Sequence, residues 1–135
     1  MKTKVAVIGT GSMGRNHARV YWEMPDVDFV GIADADIEKT AALGKKYGIQ
    51  VFNDYRKMLD EQNPDTVTIA VPTVLHYEVA LEAIDRGIHV LLEKPIALEV
   101  AQGEEIIRKA ADKNVKLQIG HIERFNPAII TLQQE

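Results

Sequence analysis

The chain has 135 residues, of which 46% are hydrophobic and 27% are charged, and its formal net charge is −4. This length and composition are typical of one folded globular domain, and the negative charge without a basic cluster argues against nucleic acid or an anionic membrane as partner. The absence of cysteine excludes disulfides, thiol nucleophiles and Cys-ligated metals, and we expect no metal site. The chain opens directly on a predicted strand, without a signal-peptide core or an apolar run of membrane-spanning length, so we expect a cytoplasmic location.

The first predicted strand leads into a glycine-rich turn. The segment 4–14, KVAVIGTGSMG, predicts a strand buried on both faces, a tight turn and the start of a helix. In this G-x-G-x-x-G spacing Gly9 permits the turn, Gly11 lets a diphosphate approach the backbone, and Gly14 lets the helix pack closely. Amides at the start of the helix then bind the diphosphate of a dinucleotide. The predicted cofactor contacts here are Gly9, Thr10, Gly11, Ser12, Met13 and Gly14.

The second predicted strand, residues 28–34, ends at Asp34, which lies twenty positions after Gly14. An acidic residue at this place accepts hydrogen bonds from the adenosine ribose and repels the extra phosphate of NADP. The next residues, Ala35 and Asp36, offer no arginine for that phosphate. NAD is therefore predicted in preference to NADP. The alternative is that Asp34 is an ordinary strand-end or helix-capping carboxylate.

The remaining elements alternate between helix and strand. Helices are predicted at 13–23, 37–47, from an N-cap at Asn53 to Glu61, 75–86 and 98–113, and strands at 50–52, 66–71, 89–92 and 115–120. On the first helix one side is expected to carry Met13, His17, Val20 and Met24, and on the second the sheet is expected to face Ile37, Ala41, Leu43 and Gly44. A final helical tail is predicted from Asn126-Pro127 to Glu135.

This alternation predicts an α/β fold: a doubly wound (Rossmann), mostly parallel, six-stranded sheet with strand order 3-2-1-4-5-6. Ligands of such sheets bind beyond the carboxyl ends of the strands, where the strand order reverses. The segments that follow the strands therefore form the candidate site. They are residues 9–14, Asp34, 71–76, 93–95 and 121–127.

The segment after strand 4, VPTVLH, is predicted to border the cofactor groove through Val71, Pro72, Thr73 and His76. Thr73 either contacts the cofactor or caps the following helix, and both roles are compatible. His76 either hydrogen-bonds ribose or diphosphate, or caps a neighbouring carbonyl.

After strand 5 come Glu93, Lys94 and Pro95. A neighbouring Glu-Lys pair is usually a solvated salt bridge of little energetic value. Here, however, strand 5 delivers the pair into the crevice, and Pro95 restricts Lys94 to extended or turn geometry. The positive charge of a nicotinamide would disfavour the ammonium form of Lys94, which makes it a usable acid or base.

Taken together, these motifs resemble the Gfo/Idh/MocA oxidoreductases: the glycine turn, Asp34, V-P-T-x-x-H at 71–76 and A-x-x-x-G-x-H-V-L-x-E-K-P at 83–95. The resemblance implies an NAD(P)-dependent sugar or polyol dehydrogenase in which Glu93 borders the nicotinamide and the Lys94-Pro95 peptide is often cis. It also implies that Lys94 is the catalytic residue and contacts both the reacting hydroxyl of the substrate and the nicotinamide ribose of the cofactor.

The segment GHIERFNPA at 120–128 is similar to family members that act on UDP-linked amino sugars such as UDP-N-acetylglucosamine. In that interpretation Arg124 contacts cofactor and substrate, and Asn126 contacts substrate. The alternative is that this segment is the start of a helix and that Arg124 pairs with an acidic neighbour. Family members are considerably longer, and a second α/β domain covers the nicotinamide and supplies a histidine. Neither His17 nor His89 is placed to replace that histidine.

We therefore expect residues 1–123 to form the dinucleotide-binding domain and 124–135 to begin the crossover to a substrate domain that this chain lacks. The chain alone is expected to be inactive, and its apolar tail at 128–132 or its outer strand is expected to pair chains into a homo-oligomer. Two alternatives stay open: an NAD-dependent glycosidase or lyase of the same family, and a non-catalytic NAD-binding module.

Overall fold

A computed structural model describes residues 2–120. Within them six strands form one sheet in the order β3-β2-β1-β4-β5-β6, and every neighbouring pair is parallel. The strands are β1 (Thr3–Ile8), β2 (Val27–Ala33), β3 (Val51–Phe52), β4 (Thr66–Ile69), β5 (His89–Glu93) and β6 (Leu117–Gly120). The helices are α1 (Ser12–Glu23), α2 (Ile37–Tyr47), α3 (Tyr55–Gln62), α4 (His76–Asp85) and α5 (Val100–Asp112). The predicted fold class and strand order are confirmed.

The predictions for the last part of the chain lie outside the described residues. They concern Arg124, Asn126, the helical tail, the apolar tail and the domain boundary after residue 123.

Strand β1 is the centre of the sheet, paired with β2 on one side and β4 on the other. Its residues Val5 to Ile8 are all buried, as expected of a strand covered on both faces. Successive side chains point to opposite faces, so Ile8 belongs to the core beneath α3, α4 and α5, while Val7 packs with Ala18 of α1 and Leu43 of α2. Helices therefore cover both faces, and the sheet is doubly wound.

The face that α1 turns to the sheet differs from the predicted one. Gly14 and Ala18 are its buried residues, whereas Val20 is 43% exposed and Met24 40% exposed. The spacing of the apolar residues did not identify the face of α1 that packs on the sheet, because α1 lies so close to β1 that only small side chains fit between them.

Helix α2 shows a similar difference. Ile37 and Ala41, both expected to face the sheet, are exposed. Thr40 is buried instead, and its hydroxyl donates to the carbonyls of Asp36 and Ile37 within the helix. The expected burial of Leu43 and Gly44 is confirmed, and the helix ends at Gly48 in the left-handed conformation, with φ of 66°.

The N-cap of α3 is Asp54, one residue later than predicted. Its Oδ1 accepts a hydrogen bond from the Arg56 amide at 3.0 Å, which is the usual bond of an N-cap carboxylate, so the prediction of Asn53 is wrong. None of the described helices is long and apolar enough to cross a bilayer.

Candidate functional site

The turn between β1 and α1 leaves no room for a side chain at Gly9 or at Gly14. Gly9 has φ of 107°, and a Cβ there would lie 2.4 Å from the Ala70 carbonyl oxygen. A Cβ on Gly14 would lie 1.9 Å from the Gly9 carbonyl oxygen. The Gly9 amide in turn donates to the Ala33 carbonyl at 2.8 Å. The turn is thus packed against the ends of both β2 and β4.

Gly11 differs from these two glycines. It is the N-cap of α1 with φ of −69°, and a Cβ on it would meet nothing within 4 Å. No side chain among residues 2–120 caps the first turn of α1, so the amides of Ser12 and Met13 remain donors. Because these amides and the helix dipole attract negative charge, the open space beside Gly11 fits a diphosphate.

Asp34 is bonded to the same turn. Its Oδ2 accepts hydrogen bonds from the Thr10 amide and the Thr10 hydroxyl, both at 2.7 Å, and its Oδ1 accepts one from the Asp36 amide at 2.8 Å. The amide and hydroxyl of the buried Thr10 are therefore directed to Asp34. The carboxylate holds the glycine turn against the end of β2.

These contacts keep Asp34 ionised. Burial by itself raises the pKa of Asp34, but hydrogen bonds from Asp36 and Thr10 and the positive charge of Lys39 outweigh it, so the pKa lies below its ordinary value. A carboxylate oxygen can accept two hydrogen bonds, and Oδ1 accepts only one from the described residues. Asp34 can thus bind a ribose hydroxyl while holding the turn.

A groove of about 610 Å³ opens beside Asp34 and runs to the segment after β4. Its lining includes the predicted residues Val71 and Pro72. It also includes Leu75, from the predicted segment 71–76, and residues that sequence reasoning missed, namely Asn53, Tyr55, Arg56, Glu78 and Val79. Asn53 could have been found, because it follows β3 directly and the carboxyl-end rule applies to it. The others lie within or beside helices, where no pattern marks them.

Tyr55 and Arg56 form one wall of this groove, with the guanidinium 4.7 Å from the centre of the ring. The Tyr55 hydroxyl is buried without a hydrogen-bond partner among the described residues, and burial raises the pKa of Tyr55 to about 12. Arg56 Nη2 donates to Glu78 at 2.5 Å and its Nε to Glu82 at 3.2 Å. The charge of Arg56 is thus already paired.

Thr73 and His76 lie in the segment after β4, where the structure shows the contacts of each. Thr73 begins a 3₁₀ turn, and neither this turn nor α4 has a side-chain cap, so the helix-capping role of Thr73 is wrong. His76 is buried, with Nδ1 2.8 Å from the Pro95 carbonyl oxygen and Nε2 2.9 Å from that of Val71. Both ring nitrogens of His76 therefore face backbone carbonyls, which agrees with the predicted alternative of a contact with a neighbouring carbonyl and corrects the predicted contact with the cofactor.

Strand β5 ends at Glu93, so Lys94 follows it at the carboxyl edge of the sheet, where it is exposed. The Lys94-Pro95 peptide is cis, as the family resemblance implied. Glu93 Oε1 lies 2.5 Å from His17 Nε2. Sequence reasoning missed this contact; the available signal was that His17 lies one helical turn after Gly14, on a helix that begins at the crevice.

A doubly wound parallel sheet with a tight glycine turn at the point of strand reversal, and an ionised carboxylate after β2, defines a dinucleotide-binding protein. The comparison with known families agrees. The model of the Gfo/Idh/MocA family, described as an oxidoreductase family with an NAD-binding Rossmann fold, matches residues 3–121. The chain belongs to this family, as its NAD-binding domain.

Among curated relatives, the UDP-N-acetylglucosamine 3-dehydrogenase of Acidithiobacillus ferrooxidans is 34% identical over 131 residues, which cover 97% of this chain and 41% of the relative. The D-glucoside 3-dehydrogenase of Escherichia coli is 36% identical over 124 residues, covering 90% of this chain and 35% of the relative. The chain thus spans about 40% of the length of such relatives.

Solved structures of similar proteins superpose closely on this chain. Scyllo-inositol dehydrogenase from Lactobacillus casei, with bound NAD(H) and scyllo-inositol, has a TM-score of 0.93 at 26% identity, covering 99% of this chain and 40% of that one. The Acidithiobacillus ferrooxidans enzyme has a TM-score of 0.91 at 34% identity, covering 99% of this chain and 43% of that one.

Alanine is predicted to affect NAD binding at Gly11 and folding stability at Gly14. Gly11→Ala should leave the free energy of unfolding within about 0.5 kcal/mol of wild type and weaken NAD binding about tenfold or more, because the Cβ fills space for the diphosphate. Gly14→Ala should destabilise by about 3 kcal/mol, because its Cβ overlaps the Gly9 carbonyl. Chemical denaturation and NAD titration measure both; unchanged NAD affinity in Gly11→Ala would contradict this placement of the diphosphate.

Asp34 predicts an acid-dependent contribution to stability. Since its pKa is lower in the folded state, the stabilisation is fully present above about pH 4 and is lost as the pH falls through the folded-state pKa. The difference in unfolding free energy between wild type and Asp34→Asn should therefore be largest at neutral pH and shrink below pH 4. Urea denaturation across this range measures it, and a difference that grows on acidification would refute the assignment.

Proposed function

We propose that this chain forms the cofactor-binding part of an NAD-dependent dehydrogenase that oxidises a hydroxyl of a sugar or nucleotide sugar, with UDP-N-acetylglucosamine as the first candidate. The observation that carries the proposal is the placement of three features at the carboxyl edge of one parallel sheet. The glycine turn follows β1, Asp34 follows β2 and is bonded to that turn, and the exposed Lys94 follows β5. The relatives described as UDP-N-acetylglucosamine and D-glucoside 3-dehydrogenases support this substrate class.

The described residues fit NAD along the groove. The amides of Ser12 and Met13 bind the diphosphate beside Gly11, and Asp34 accepts hydrogen bonds from the adenosine ribose. The groove beyond Asp34, with Tyr55 on one wall, takes the adenine.

Cofactor choice follows from charge at this end of the groove. The carboxylate of Asp34 repels a ribose phosphate and so favours NAD over NADP. Arg56 lines the same groove and is the residue that would otherwise attract that phosphate, but Glu78 and Glu82 hold its guanidinium. The preference for NAD therefore depends on both features.

At the other end of the cofactor, bound NAD supplies the nicotinamide carbon that accepts a hydride from the substrate. Lys94 Nζ accepts the proton that the substrate hydroxyl loses, because the lysine is exposed where β5 delivers it to the crevice. Glu93 borders the nicotinamide, and Val71, Pro72 and Thr73 border the cofactor from the β4 side. Arg124 and Asn126 are proposed for the substrate end.

Substitution of Asp34 tests the ribose assignment. Asp34→Arg should weaken NAD binding about 10- to 100-fold and improve NADP relative to NAD, because a hydrogen-bonding anion is replaced by a cation. Thr10→Val is the matched control, since it removes one hydrogen bond from Asp34 but keeps the carboxylate, and it should retain the preference for NAD. Fluorescence titration with both cofactors measures this. Equal NAD affinity in wild type and Asp34→Arg would refute the assignment.

Substitution of Lys94 tests the catalytic step in the full-length protein. Lys94→Ala should lower kcat with UDP-N-acetylglucosamine about 100-fold or more while the Kd for NAD changes little, because the proton acceptor is lost and the diphosphate site is not. Turnover that survives the substitution would refute the catalytic role of Lys94, whereas absence of turnover in the wild-type protein would favour the non-catalytic binding module.

The same assay separates the reaction classes. Accumulation of NADH in proportion to product supports a dehydrogenase. Product formed without net NADH supports the glycosidase or lyase, in which the cofactor is returned to its starting state.

A further inference from the structure

Two buried or half-buried histidines contact the residues on either side of Lys94. His17, on α1, lies 2.5 Å from the carboxylate of Glu93, and His76, at the start of α4, lies 2.8 Å from the carbonyl of Pro95. The two helices approach the segment after β5 from different parts of the chain, since His17 is 76 residues before Glu93 and His76 is 19 before Pro95.

We propose that His17 and His76 are positioning residues that together fix Lys94 relative to the cofactor. This inference rests on the catalytic role proposed for Lys94. Neither histidine is assigned a contact with substrate or cofactor.

The contact of His17 with Glu93 is enclosed. The side chains are 20% and 12% exposed, respectively, and a Cβ on Gly120 would lie 3.2 Å from Glu93 Oε1, so the carboxylate lies between α1 and the end of β6. The ring of Tyr21 lies next along α1, with its centre 6.5 Å from that of His17. Because a carboxylate only accepts hydrogen bonds, the imidazole N–H is the donor. The carboxylate of Glu93 is thereby held in one place.

His76 connects two segments that border the site. It is 1% exposed, and besides Pro95 it contacts the Val71 carbonyl at 2.9 Å. A backbone carbonyl only accepts, so a ring nitrogen that carries a proton donates to the carbonyl that it faces. The ring lies between the segment after β4, which lines the cofactor groove, and the segment that carries Lys94.

Each histidine therefore links Lys94 to a part of the chain proposed to contact the cofactor. His17 shares α1 with the diphosphate-binding amides, and His76 holds Val71. A lysine side chain has four rotatable bonds of its own, so its reach depends on where the backbone at 93–95 is fixed. A misplacement of about 1 Å at a reacting centre lowers the rate about 100-fold.

The test uses the full-length protein and His17→Leu, His17→Gln and His76→Leu. We expect both leucine variants to lower kcat with UDP-N-acetylglucosamine about 10- to 100-fold while the Kd for NAD rises no more than about threefold. His17→Gln should recover most of the rate, because its amide can still donate to Glu93. Without cofactor or substrate, hydrogen–deuterium exchange should become faster across residues 93–97 in both leucine variants.

His89→Gln is the matched control. His89 lies at the opposite end of β5, where its Nδ1 accepts a hydrogen bond from the Lys116 amide, and this variant should keep wild-type turnover and wild-type exchange at 93–97.

The inference is overturned if His17→Leu keeps wild-type kcat and exchange, or if its loss of turnover is matched by an equal loss of NAD affinity. If His76→Leu does not fold, as circular dichroism would reveal, the less deeply buried His17 decides the question alone. Lys94→Ala tests the proposed function separately: turnover that survives it refutes the catalytic role of Lys94, whereas loss of turnover in Lys94→Ala beside unaffected histidine variants refutes only the positioning role.

Discussion

The cofactor site depends on the close approach of α1 to the end of β1, where the backbone at Gly14 lies against the carbonyl of Gly9. Any side chain at Gly14 would force the helix away from the turn. The approach places the amide end of α1 at the reversal of strand order, between β1 and β4, where ligands of doubly wound sheets bind. It also brings His17, one turn further along the same helix, within reach of Glu93 at the end of β5. The lack of space for a side chain at Gly14 thus fixes the position of α1, which carries both the amides proposed to bind the diphosphate and the histidine that contacts Glu93, next to Lys94.

Asp34 holds the glycine turn and also carries the ribose contact that we propose. Three hydrogen bonds from Thr10 and Asp36 hold the glycine turn to the end of β2. The same bonds lower the pKa of the carboxyl and keep it anionic, which is the state that accepts hydrogen bonds from a ribose and repels a phosphate. The two interpretations of Asp34, a strand-end carboxylate and a ribose ligand, are therefore compatible.

The groove beside Asp34 contains a second charged group, the guanidinium of Arg56, which lies in its wall. Arg56 donates hydrogen bonds to Glu78 and Glu82, so its charge is held in a network that spans α3 and α4. The proposed preference for NAD rests on this pairing as well as on the carboxylate after β2. Such a network depends on helices packed on the sheet, which no local spacing reveals.

The sequence alone determined the class of fold, the strand order, the glycine turn, Asp34 and the place of Lys94. These follow from local requirements: apolar runs make buried strands, a backbone with positive φ or no space for a Cβ needs glycine, and alternating elements demand parallel crossovers. Only the tertiary structure decided that α1 packs through Gly14 and Ala18, that His76 contacts two carbonyls, and that His17 contacts Glu93. Those contacts join residues that are distant in the chain, so they depend on how closely helices lie on the sheet, a distance that packing sets and spacing does not encode.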